Sequence, residues 1–139
     1  MAGTANIDNQ SLRGFLRMVE SEYPDEFLRI RHEIDPKFES TAMLFELDRA
    51  GRSPVVVFEN IKDKNMPLVT NVAGNRKLLA ACLGVKATDL PMAFRERCQK
   101  YIPCEVVNTA AWDEIVLEGD QIDLTKLPIP LQFPVDAAP

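Results

Sequence analysis

The chain has 139 residues, 46% of them hydrophobic and 27% charged, with 10 Pro, 6 Gly, 3 Cys and a single His. A chain of this size buries roughly two thirds of its unfolded surface on folding, enough for one domain with a real core and no need of disulfides or a structural metal. The formal charge of −5 and the pI near 4.9 oppose broad attraction to phosphate backbones, and Arg95, Arg97 and Lys100 alternate with Glu96 as on a solvated helix face, so nucleic acid is not an expected partner.

The longest apolar stretches, Pro54 to Phe58 and the interrupted run Leu78 to Val85, fall far short of the ~20 residues that cross a bilayer. Met1 to Gln10 has no basic start followed by an apolar run, so it does not read as a secretory signal. The expected address is the cytosol. Cys82, Cys98 and Cys104 form an odd set without a C-x-x-C pair, which argues for reduced thiols over a disulfide framework or a zinc knuckle.

Residues 1–10 are polar and carry no apolar period, so they are expected to form a flexible lead-in to a domain spanning residues 11–120. Leu12, Phe15, Leu16 and Val19 fall at i, i+3, i+4 and i+7, which predicts a helix ending by Tyr23-Pro24 with Ser11 or Asn9 as N-cap. Phe27 to Ile34 alternates, with Leu28, Ile30 and Ile34 on one side and Arg29, Arg31 and Glu33 on the other, the period of a half-buried strand. Helical spacing returns from Phe38 to Ala50, and Gly51 stands where a left-handed C-terminal cap is easiest.

Pro54-Val55-Val56-Val57-Phe58 is β-branched and free of polar groups, as suits a central strand buried on both faces. A further strand is expected over Pro67 to Val72. A third helix opens at Gly74-Asn75, carries Leu78, Leu79, Cys82 and Leu83, and ends at Gly84. Thr88 is the expected cap of a fourth helix that has Asp89 in its first turn, Pro91 near its start and Lys100 near its end. Glu105 to Val107 and Trp112 to Glu118 read as short strands. Residues 121–139 hold Pro128, Pro130, Pro134 and Pro139, so they are expected to form an extended connector. The fold class is α+β, a small mixed sheet covered by helices.

Four features could carry chemistry. His32 could serve as a general base or ligand, but no second His completes a metal set, and a structural role is the plainer reading. Cys98 and Cys104 lie near Arg95, Arg97 and Lys100, which would favour a thiolate, although free cysteines usually act as small buried hydrophobes. Asn71 to Arg76 joins a strand to a helix as phosphate-binding turns do, yet it lacks the second glycine and the Lys-Ser/Thr of a P-loop, so a tight turn capped by Asn75 is the simpler account. Glu20, Glu22, Asp25 and Glu26, or Asp113, Glu114, Glu118 and Asp120, could pair carboxylates, but their places at element ends suit solvated charge. No catalytic, cofactor-binding or metal-binding residue is assigned on these grounds.

Several segments together resemble the N-terminal region of the UbiD family of reversible decarboxylases. They are Ser11-Leu12-Arg13-Gly14-Phe15-Leu16, Ile34-Asp35-Pro36, Pro54 to Lys62, Met66 to Arg76, and the Leu127-Pro128-Ile129-Pro130 stretch that leads to Asp136-Ala137-Ala138-Pro139. The resemblance spans about Ser11 to Pro139 and rests on the order and spacing of these pieces.

It implies a carboxy-lyase acting on aromatic or α,β-unsaturated carboxylic acids, with prenylated FMN, a divalent metal (Mn or Mg) and potassium held in a split-barrel domain downstream of the Leu-Pro-Ile-Pro stretch. The Arg and two Glu that serve there as acid/base set, and the Asn, His and Glu that help hold metal and phosphate, would also lie downstream. The resemblance implies a homo-oligomer, an inactive isolated chain and no cofactor bound by this chain alone. Gln132 stands where many members have His, and Ala138 where many have Gly. The alternative is a non-catalytic small subunit or interaction module that assembles with a separate catalytic chain. A stand-alone thiol enzyme using Cys98 or Cys104 ranks last.

Overall fold

The computed structural model describes residues 11–100, 102–104, 106–109 and 115–136. Four α-helices, α1 (Leu12–Glu22), α2 (Glu39–Arg49), α3 (Arg76–Cys82) and α4 (Leu90–Cys98), and three strands, β1 (Phe27–Ile30), β2 (Val55–Phe58) and β3 (Leu68–Thr70), are found among them. The sheet order is β1-β2-β3. β1 and β2 run parallel, with Phe27 opposite Val55 and Ile30 opposite Phe58, and the crossover that a parallel pair requires contains α2. β3 returns antiparallel to β2, pairing Val57 with Val69. This is the small mixed sheet covered by helices that the sequence pattern implies.

β2 organises the core because its side chains alternate between two apolar layers. Val55 and Val57 join Val19 of α1, Phe27 of β1 and Leu78 of α3 on one face. Val56 and Phe58 join Ile34 and Ile61 on the other, where Met43, Leu44 and Leu47 of α2 close over them. A strand with helices on both sides has no solvent face, which accounts for its uninterrupted apolar sequence.

β1 departs from expectation in length and facing. It ends at Ile30, and the chain next touches the sheet at Ile34, which forms a single parallel rung with Ile61. Phe27 lies on the same side as Arg29 and is buried there under α1 and α3, so both faces of the strand are covered at its start. β3 is also shorter than expected. Asn71 takes a left-handed φ of 58° and its side-chain amide donates to the Pro54 carbonyl at 2.8 Å, which turns the chain out of the ladder.

The helix ends mostly follow local chemistry. Ser11 Oγ accepts from the Gly14 N–H at 3.0 Å and caps α1. At the end of α2, Gly51 has a φ of 69°, with its N–H bonded to the Asp48 carbonyl and the Arg52 N–H to Leu47, a Schellman closure. At α4 the expected cap is displaced by one residue. Asp89 is the N-cap, and the Thr88 hydroxyl donates to Asp89 Oδ1 instead of receiving a helix N–H.

Beyond α4, Val106, Val107 and Ile115 to Glu118 are described and form no strand; Glu105 and Trp112 to Glu114, the rest of those two expected strands, lie outside the described residues. Their β-branched composition finds no partner ladder, and these apolar side chains stand exposed. Short 3-10 turns occur at Gly119–Gln121 and Leu124–Lys126. The segment then runs extended to Leu131, which makes a parallel rung with Lys37. The expected lead-in over residues 1–10 lies outside the described residues.

Candidate functional site

The helix start singled out as a phosphate cradle is occupied by its own cap. Asn75 Oδ1 accepts from the N–H groups of Lys77 (2.9 Å) and Leu78 (3.4 Å), while Asn75 Nδ2 donates to Glu26 Oε2 (2.7 Å) and to the Ser53 carbonyl (3.3 Å). The donors that would grip an anion are thereby engaged, and the Glu26 carboxylate beside them repels one. A polar cleft of about 410 Å³ lies here between Asp25, Glu26, Arg52, Ser53 and Arg76. A Cβ at position 74 would lie 1.7 Å from Asn71 Oδ1, so any larger residue in this turn must displace the Asn71 side chain.

His32 is exposed beyond the end of β1, and among the described residues it is neither hydrogen-bonded nor ion-paired. The structural role expected of it has no such contact behind it among the described residues. All three cysteines are free and exposed, which for Cys98 and Cys104 departs from the expectation of small buried hydrophobes. None belongs to the two apolar layers around β2, because those layers are filled by Val, Phe, Ile and Leu side chains. The Cys82 thiol lines an apolar groove of about 390 Å³ between α3 and α4, formed with Leu79, Leu83, Leu90, Pro91 and Phe94. Partial burial there pushes its pKa up, away from a thiolate. Among the described residues no three His, Cys, Asp or Glu side chains are grouped to hold a metal ion.

The expected surface charges are more engaged than the sequence suggests. Arg29 takes Glu20 at 2.8 Å and Glu59 at 2.7 Å, and its pKa is raised first by the hydrogen bond to Glu59 and then by that to Glu20. Glu26 meets Lys77 at 3.5 Å. Arg97 is more than part of a solvated face, since its guanidinium donates to the Leu83 carbonyl at 2.6 Å and ties α4 to the end of α3. Asp113 and Glu114 lie outside the described residues.

A third depression of about 280 Å³ lies between α2 and the C-terminal segment. Thr41, Leu44 and Phe45 form one wall, Gln132 and Phe133 the other, and Arg52, Ser53 and Asn71 its end. Sequence reasoning did not reach this groove. Its second wall exists because a segment more than eighty residues away from α2 returns to it, and no local periodicity encodes that return.

Residues 20–98 match the model of the 3-octaprenyl-4-hydroxybenzoate carboxy-lyase N-terminal domain. One similar solved structure is an evolved dimeric form of the UbiD-class enzyme HmfF from Pelotomaculum thermopropionicum in complex with prFMN, 32% identical, with a TM-score of 0.72 over 86% of this chain and 27% of that chain. Another is HmfF from the same organism in complex with FMN, 29% identical, with a TM-score of 0.71 over 85% of this chain and 26% of that one. The chain therefore spans about a quarter of the length of these relatives.

These matches define the class as a UbiD-type N-terminal domain. The chain belongs to the UbiD family.

Proposed function

We propose that this chain is the N-terminal part of a prenylated-flavin-dependent reversible decarboxylase acting on an aromatic or α,β-unsaturated carboxylic acid, and that further polypeptide carries the chemistry. The supporting observation is the match to HmfF, whose structures hold prFMN or FMN, with this chain covering 27% and 26% of them. Decarboxylation needs the electron pair left by the departing CO2 to be delocalised, which is what the flavin supplies when bound. The residues described here do not fit such a group. The one helix start resembling a phosphate site is capped by Asn75, and the groove beside α2 places the Asp48 carboxylate among its lining. No step of the reaction is therefore assigned to this chain.

Its part in such an enzyme is to fold independently around β2 and to pack beside the cofactor-bearing domain, framing the substrate cleft. Exposed Met92, Phe94, Ile102, Val106, Ile115 and Val135 are apolar side chains of the kind another polypeptide covers. The non-catalytic small-subunit reading draws on the same residues. No helix among the described residues is long and apolar enough to cross a membrane.

The test is purification from the native host with intact mass, absorbance and size exclusion. Co-elution of the polypeptide carrying the rest of the fold, with a flavin band and CO2 release from an aromatic or unsaturated acid, is the expected result. A colourless protein running alone at its own mass overturns the catalytic reading, and a second chain without flavin favours the interaction module.

A further inference from the structure

We propose that residues 131–136 form a preformed strap that docks beside the start of α2 and can be released from it without unfolding the core, so that docking builds the groove between them and release dismantles it. Among the described residues, the backbone hydrogen bonds that hold the strap to the domain form a single parallel rung. The Leu131 N–H donates to the Pro36 carbonyl at 3.0 Å, and the Phe38 N–H donates to the Leu131 carbonyl at 2.8 Å. Its internal order is separate from that rung. The Asp136 carboxylate accepts from the N–H groups of Gln132 (3.0 Å) and Phe133 (2.9 Å), and the Asp136 N–H donates back to the Phe133 carbonyl at 2.9 Å. All three bonds span three or four residues, so the turn stays closed when the strap leaves the domain.

Release is cheap because the strap contributes nothing to the buried core. The core side chains described here run from Val19 to Ala80, whereas Leu131 is only half-buried and Gln132 to Val135 are exposed. Elements with few buried apolar contacts open at free energies well below global unfolding. When the strap lifts, the wall formed by Gln132 and Phe133 moves away from Thr41, Leu44 and Phe45, and the groove of about 280 Å³ is dismantled.

Amide hydrogen exchange on the full chain by NMR tests this independently of any decarboxylase activity. Phe38 and Leu131 are expected to exchange together, about 100-fold faster than Val57 in β2 and at least about tenfold slower than a free peptide. Asp136→Ala is expected to speed Gln132 and Phe133 by about tenfold with Val57 unchanged. Leu131→Pro, which deletes the donor to Pro36, is expected to speed Phe38 and leave the Asp136 turn protected. Exchange of Leu131 at the rate of Val57 would make the strap part of the core and overturn the proposal. Exchange at the free-peptide rate would equally overturn it, since the strap would then not be docked. If Leu131→Pro does not fold, the wild-type rates and Asp136→Ala still decide the matter.

Discussion

Replacing Gly74 by Ala tests how the turn after β3 is held. The added Cβ would lie 1.7 Å from Asn71 Oδ1 and 2.6 Å from Asn71 Cγ, so the Asn71 side chain must move. That movement has a cost, because Asn71 Nδ2 donates to the carbonyl of Pro54, a fully buried residue, at 2.8 Å. Leaving such an acceptor unpaired costs about 1–3 kcal/mol. The lower entropy of the unfolded Ala variant returns about 0.4–1 kcal/mol, for a net loss of about 1–2 kcal/mol. At about 3–5 °C per kcal/mol for a domain of this size, the melting temperature should fall by about 3–10 °C.

Urea titration should show a lower midpoint at unchanged slope. The control is the same substitution in an Asn71→Gly background, where no side chain remains to be displaced and the left-handed φ of 58° is readily held. There Gly74→Ala should change stability by less than about 0.5 kcal/mol. An equal loss in both backgrounds, or none in the wild type, would refute the steric account.

Phe58→Ala removes a side chain with 0% exposure at the centre of the sheet and is expected to cost about 3–5 kcal/mol by urea denaturation, since the layer formed with Ile34 and Ile61 can collapse only in part. Ser11→Ala deletes the cap of α1, and a loss of about 1 kcal/mol should appear in the thermal midpoint. The Asp35 carboxyl lies below its ordinary 3.8, first because it accepts the Lys37 N–H and then because Lys62 is near. A depressed carboxyl pKa adds stability above its unfolded value and loses it as pH falls through the folded one. The midpoint of Asp35→Asn should therefore depend less on pH below about 4 than that of the wild type, and identical acid limbs would contradict this linkage.

What the sequence determined by itself lies in short-range physics. The 3.6-residue stripe Leu12, Phe15, Leu16, Val19 produced α1 with Ser11 as its cap. The run Val55 to Phe58 produced a strand covered on both faces, and Gly51 closed α2 in the left-handed region. Each is settled by neighbours within one or two turns of chain. The family was legible by a different route, the resemblance of several segments in a fixed order.

The tertiary structure decided what depends on partners distant in sequence. Phe27 shares a side with Arg29, yet it is buried because α1 and α3 converge over the start of β1. Val106 and Val107 have strand composition but stand exposed without a ladder, since a strand requires a partner as well as a propensity. Asn71 ends β3 by reaching the Pro54 carbonyl, and Leu131 returns to Lys37 to wall a groove against α2. Local pattern cannot encode these pairings, because they arise only when folding brings donors and acceptors from separate segments within 3 Å of each other.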